Sequence, residues 1–305
     1  MIFGLNVSLV WLVAGLALLP GNSLATISKF AASVTKPTAQ TQVQTLSDQA
    51  MPVARNGLKP PALTATAVYA VDVETGTVLL SKNADQPRPI ASITKLATVI
   101  TYLSRHNLND TITVPPLPAY QAGAELIGLK PGERYKTQDI VAAALIPSAN
   151  DAADTLALSD AGSLEEFSKS MQEQLANWGI EGAQFSNPTG LTTGTSLNQV
   201  SAAGVANMGQ LLVRNPQLRQ LVQTQTQTIS SLEGRPLSLA TTNQLLKNSQ
   251  FNGIKTGYTP EAGQCFVSLA TVNGHQIVTV VLGSQDRFGE TEQLVNWIKR
   301  SYEWL

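Results

Sequence analysis

Three short segments of this chain carry side chains that could perform acyl transfer. In chain order they are Ser92-Ile-Thr-Lys95, Ser148-Ala-Asn150 and Lys255-Thr-Gly257. Together they supply a hydroxyl nucleophile, a lysine able to deprotonate it, a second polar pair, and a cation beside a backbone turn. Those are the parts needed to make and break a serine ester. Each is weak alone, since S-x-x-K turns up about once by chance in a chain of this length and average composition. One such decoy stands at Ser33-Val-Thr-Lys36, and a second S-x-N at Ser196-Leu-Asn198.

Local structure favours Ser92 over Ser33. Beyond Pro87 and Pro89, Leu96, Val99, Ile100 and Leu103 repeat at helical spacing, which predicts a helix over 92–105 with one buried stripe and Ser92 in its first turn. Lys95 is three residues on, so it shares a face with the serine. A helix N-terminus also brings free N–H groups and a positive dipole end toward the charge that develops on acylation. Ser33 sits among Ser, Thr, Gln, Ala and Pro with no apolar period. Ser148 and Asn150 follow an apolar run and Pro147, where helix capping is the simplest use of such residues. For Lys255-Thr-Gly257 the simplest local reading is a strand ending in a glycine turn with a solvated lysine.

The longer segments around these motifs resemble a known family. Val71-Asp-Val-Glu-Thr-Gly76, Pro89-Ile-Ala-Ser-Ile-Thr-Lys95, Leu129-Lys-Pro-Gly-Glu133, Pro147-Ser-Ala-Asn-Asp151, Asn187-Pro-Thr-Gly-Leu191 and Gly253-Ile-Lys-Thr-Gly-Tyr-Thr259 are similar to the low-molecular-mass penicillin-binding proteins. More narrowly they resemble the serine-type D-alanyl-D-alanine carboxypeptidases, from about Ala65 to Trp304. The resemblance implies that Ser92 is acylated and Lys95 is its base. It places Ser148 and Asn150 in the cleft, relaying protons and holding the substrate. Lys255 and Thr256 would face the substrate's terminal carboxylate, Gly257 would also bind substrate, and the N–H groups of Ser92 and Tyr258 would form an oxyanion hole. A lysine base must be neutral, well below its free pKa of about 10.4, and a second cation, Lys255, in a partly desolvated cleft would push it that way. One departure is Gly204, which follows Ser201-Ala-Ala where the family commonly has an acidic residue. The stretch from Gly182 to Leu232 contains no Asp or Glu, so the carboxylate that lets serine β-lactamases discard their acyl group is not expected there.

Composition agrees. With 305 residues, 43% hydrophobic and a formal net charge of −1, the chain can bury one sizeable core and has no basic excess for nucleic acid. Cys265 stands alone in an apolar run, as a buried strand thiol would. Two histidines and one cysteine make a metal site improbable, and no cofactor is called for. An unbroken apolar run, Leu9 to Leu19, precedes Pro20-Gly21 and Ser23-Leu-Ala25, which suits a cleaved signal peptide over 1–25. The n-region has no Lys or Arg, so a retained membrane anchor is the alternative; at 18 residues, Ile2 to Leu19 is marginal as a span. Both put the catalytic part outside the cytoplasmic membrane, where peptidoglycan is found. Residues 26–62 read as a flexible tether.

The folded part, 63–305, is expected to be α/β (α+β), with one antiparallel sheet drawn from both chain ends and helices on its faces. Strands are expected at 66–73 and 77–82, and at 265–272 and 275–283 around the Asn273-Gly274 turn. Helices are expected at 137–146, 150–161, 163–178 and 201–213, forming a helical subdomain, with a closing helix from about Thr291. The family fold, penicillin-binding-protein and β-lactamase-like, has this layout. Because the chain stops at Leu305, the extra C-terminal β-domain of some relatives is not expected. The leading function is a carboxypeptidase trimming stem peptides that end in D-Ala-D-Ala, with β-lactams as covalent inhibitors. An endopeptidase cutting peptidoglycan cross-links and a penicillin-binding sensor with poor turnover are the alternatives.

Overall fold

The structure, a computed structural model, describes residues 50–55, 57–192 and 196–305. The expected leader, most of the expected tether and the Ser33 decoy lie outside the described residues. Residues from Ala50 to Leu305 form one compact unit. Its first elements are β1 (Pro52–Ala54), β2 (Ala67–Asp72), β3 (Val78–Lys82) and β4 (Arg88–Pro89), then a 3-10 turn at Ala91–Ile93 and helix α1 (Thr94–Leu103). The middle carries β5 (Thr111–Thr113), β6 (Arg134–Lys136), α2 (Thr137–Leu145), α3 (Asn150–Ala161), α4 (Leu164–Asn177), β7 (Gln199–Val200), α5 (Ala202–Val213) and α6 (Pro216–Val222). A hairpin of β8 (Thr226–Ser230) and β9 (Pro236–Ala240) precedes β10 (Phe251–Thr259), β11 (Gly263–Val272), β12 (His275–Ser284), α7 (Arg287–Ser301) and β13 (Tyr302–Trp304).

Five strands make the central antiparallel sheet in the order β10-β11-β12-β2-β3, so both chain ends contribute. Strand alternation sorts its side chains to two faces. Ile277 and Val281 join Phe266, Val68 and Ala70 under Leu294, Val295 and Ile298 of α7. Val278, Val280 and Leu282 face the other way, with Val267 and Leu269, toward Val205, Met208 and Leu212 of α5 and the apolar stripe of α1. The polar pair Ser268 and Thr279, directly opposed in register, is satisfied by a mutual hydroxyl contact of 2.7 Å. Helix ends follow their caps: Ser163 accepts from the Glu166 N–H at 3.1 Å, and Gly162 closes α3 at φ 74°, a conformation that favours glycine.

The fold corrects two expectations. Pro52–Ala54 lies within the stretch read as tether, yet it pairs antiparallel with Tyr302–Trp304; with three residues and one buried side chain, β1 is too short to show an apolar period. The segment Lys255-Thr-Gly257 does not end a strand, because β10 continues through it to Thr259. The α6 helix and the β8–β9 hairpin were not anticipated; their Gln- and Thr-rich sequence carries little hydrophobic pattern.

Candidate active site

The cleft lies where β10, the edge of the sheet, meets the Ala91–Ile93 turn and the start of α3. It encloses about 720 Å³ and is lined by Ser92, Ser148, Asn150, Thr256, Gly257 and Tyr258 among others. Lys95 and Lys255 sit behind this wall, at 0% and 1% relative exposure. All the residues singled out from the sequence therefore meet around one space.

Two of these residues have unusual backbones. Ala91, just before the nucleophile, has φ 46°, and Ser148 has φ 68°; the left-handed region is uncommon for non-glycine residues and costs free energy unless the surroundings hold it. The surroundings here are specific. A Cβ on Gly190 would lie 2.0 Å from the Ala91 carbonyl oxygen, and one on Gly257 would lie 2.8 Å from that of Ile90 and 3.2 Å from the Ser92 nitrogen. Only glycine lets strand β10 and the 187–191 loop close on the nucleophile's turn. Ser148 does not cap α3: Ala149 is the N-cap residue, with no side-chain cap bond. Its buried hydroxyl has no hydrogen-bond partner among the described residues, which leaves it available to a ligand in the cleft.

Lys95 is fully ligated. Its Nζ lies 2.9 Å from Ser92 Oγ, 2.7 Å from Asn150 Oδ1 and 2.8 Å from the Thr189 carbonyl. Burial pushes its pKa down to about 7, against the upward pull of Asp154, Glu125 and Asp151. Lys255, expected to push it down, is not among the causes; desolvation is what disfavours the ammonium. Lys255 is itself held well below its usual value, by burial, then by Lys95 and Arg287, because two cations in a buried site resist being charged together. A neutral Lys95 amine has two N–H bonds and one lone pair. The two hydrogens match the Asn150 and Thr189 oxygens, which turns the lone pair to the Ser92 hydroxyl.

Several contributors were missed from sequence. Asn187 Oδ1 accepts from the Gly190 N–H at 2.7 Å and from the Thr189 N–H at 3.1 Å, which shapes the loop that presents the Thr189 carbonyl. Asn198, set aside as part of a decoy, donates to the Asn187 carbonyl at 2.8 Å and to Thr94 Oγ1 at 3.1 Å. It braces that loop against α1. Thr242 meets Thr256 hydroxyl to hydroxyl at 2.6 Å, and Arg287 donates to the Gly257 carbonyl at 3.0 Å; both line the cleft. Asn187 stands in a segment that carries the resemblance and Asn198 in the second S-x-N, but neither pattern reveals its role, and no short motif marks Thr242 or Arg287. The Gly204 departure has a packing basis, since a Cβ there would lie 2.8 Å from Val200 Cγ1 and 2.9 Å from Ile180 Cγ2.

Asp72, Glu74 and His275 place ligand-type atoms within 4.8 Å of one another. Both Asp72 oxygens are already engaged, by the Thr75 N–H and Trp304 Nε1, both at 2.8 Å, and one Glu74 oxygen accepts from the Gln276 N–H at 3.1 Å. The cluster ties the C-terminal strand to the sheet.

The S11 peptidase family, described as D-alanyl-D-alanine carboxypeptidase, matches residues 54–286. The chain belongs to this family. Among S11 relatives, the D-alanyl-D-alanine endopeptidase of Pseudomonas aeruginosa is 31% identical over 247 residues, 78% of each chain. D-alanyl-D-alanine carboxypeptidase DacF of Bacillus subtilis is 27% identical over 248 residues; the match spans 78% of this chain and 63% of DacF. The crystal structure of a peptidoglycan synthesis regulatory factor (PBP3) from Streptococcus pneumoniae is similar with a TM-score of 0.71 at 30% identity, covering 79% of this chain and 72% of that one. Penicillin-binding protein D2 from Listeria monocytogenes, in its cefotaxime-bound form, gives 0.68 at 28% identity, covering 79% and 99%. The S11 fold is thus the mixed architecture described above, and the family chemistry is that of a serine peptidase.

Proposed function

We propose that this chain is a serine-type D-Ala-D-Ala carboxypeptidase acting on peptidoglycan stem peptides outside the cytoplasmic membrane. The observation that carries the reading is the 2.9 Å approach of Lys95 Nζ to Ser92 Oγ, with the lysine buried and its pKa near 7. In the acylation step the Lys95 lone pair takes the Ser92 proton while Oγ attacks the carbonyl carbon of the penultimate D-alanine. The oxyanion is received by the N–H groups of Ser92 and Tyr258. The amine of the terminal D-alanine leaves with a proton passed through Ser148, and water then hydrolyses the ester, restoring the Ser92 hydroxyl. Asn150 holds Lys95 in place, while Lys255, Thr256 and the Gly257 strand face the substrate's carboxylate. A β-lactam enters the same cycle and acylates Ser92.

The 31% identity with an endopeptidase over 78% of both chains favours a second reading, cleavage of D-amino-acid cross-links by the same acyl step. Product analysis on intact muropeptides tests both. Release of free D-alanine from pentapeptide monomers supports the carboxypeptidase, conversion of dimers to monomers supports the endopeptidase, and slow turnover of both after rapid penicillin acylation would indicate a sensor.

A further inference from the structure

The cleft lining carries both signs of charge: Arg287 and Glu125 both line the space, with Lys255 buried behind the strand wall. Its carboxylate has no hydrogen-bond or ion-pair partner among the described residues, although the backbone that carries it is firmly held. The Glu125 carbonyl accepts from the Asn150 N–H at 2.8 Å, and buried Asp151 accepts from the N–H groups of Gly128 and Leu129 at 2.8 and 3.0 Å. Glu125 is thus fixed to the same helix start that places Asn150 against Lys95.

We infer that Glu125 forms a cation-reading subsite for the acyl half of the substrate. It would take the side-chain ammonium of a diamino residue preceding the D-Ala-D-Ala pair. This rests on the carboxypeptidase reading, which puts the substrate's terminal carboxylate at the Lys255 and Arg287 wall and so runs the rest of the peptide toward Asn150 and Glu125. An acid here has a cost for the chemistry: its charge raises the pKa of both Lys95 and Lys255, opposing the neutral base. A bound ammonium cancels that pull, so the matching substrate also helps keep Lys95 neutral. A ligand carrying a cation at one end and a carboxylate at the other complements both signs of charge.

The test compares kcat/KM for peptides ending in D-Ala-D-Ala that carry lysine or diaminopimelate before the pair, each with a free or an acetylated side-chain amine. The native enzyme should prefer the free amine about 5- to 20-fold, as expected for one partly exposed charge-assisted contact. Glu125→Gln should bring that ratio near one, and Glu125→Lys should reverse it. A preference confined to one amine series identifies which diamino residue is read. An unchanged ratio in Glu125→Gln overturns the subsite. So does an equal slowing on free and acetylated peptides with the acyl-enzyme accumulating, which would assign Glu125 to water activation. Fluorescent penicillin labelling of native Ser92 separates the two levels: an unchanged ratio with labelling intact removes only the subsite, whereas a native enzyme that neither labels nor cleaves removes the carboxypeptidase reading with it.

Discussion

The two buried lysines of the cleft are close in burial and opposite in how they are served. Lys95 has three partners, all supplied by the protein. Lys255 has one hydrogen bond among the described residues, to the Thr256 carbonyl at 3.0 Å, and stands behind an edge strand. Even a neutral amine keeps two N–H donors, so Lys255 holds unused hydrogen-bonding capacity while Lys95 has none. The difference separates a group built to exchange a proton with one neighbour from a group built to meet a ligand.

Replacing Lys95 by Arg tests that division most severely. Arginine cannot be deprotonated in this role and its fork is larger than an ammonium. Acylation by penicillin should fall by about 10³-fold or more, with the fold intact by circular dichroism. Stopped-flow labelling checks it, and a variant within tenfold of the native rate would mean Lys95 is not the base.

Lys255→Ala should cost about 10- to 100-fold in kcat/KM on peptides with a free C-terminal carboxylate. The loss should be smaller on their amidated analogues. Equal losses on both would move Lys255 from ligand reading to a structural role and erase the contrast with Lys95.

The contrast also has a pH signature. Lys95 is active as the neutral amine and is protonated below its pKa of about 7. The acylation rate should therefore be level above that value and fall roughly tenfold per unit below it. Rates followed from pH 5 to 9 read this directly; an acid limb centred near 4 would assign it to a carboxylate.

The smallest effect is expected at Asn198, which supports the Lys95 side through the 187–191 loop. Asn198→Ala removes donors to Asn187 and Thr94 and should destabilise the fold by about 1–3 kcal/mol. Urea unfolding measures that, alongside an acylation loss of less than tenfold.

The two lysines also show how far the sequence could be read. Lys95 was legible because a 3.6-residue apolar period marks α1, although Ser92, expected in the first turn of that helix, stands in the 3-10 turn just before it. The central sheet was legible because alternation and the Asn273-Gly274 turn mark its strands. Local pattern failed where distant segments act on one another. The Ser148 hydroxyl looked like a cap until its backbone put it at positive φ. Gly257 looked like a turn until its close approach to Ser92 became visible. Asn198 looked like a chance repeat, although its side chain bridges residues 94 and 187. The cause of the low Lys95 pKa was misjudged for the same reason: burial is a property of the whole core, and no pair of residues in a motif reveals it.

With no Asp or Glu between Gly182 and Leu232 to activate water, the acyl-enzyme is expected to deacylate slowly; the one challenger is Glu125, a cleft carboxylate from the segment before Ser148. Intact-protein mass spectrometry after benzylpenicillin, followed over hours with peptide mapping, tests the central claim most directly. A single stable adduct on the peptide carrying Ser92, absent in Ser92→Ala and unchanged in Ser33→Ala, is the predicted result. Label persisting in Ser92→Ala, or mapping to Ser148 or Ser33, would contradict the account.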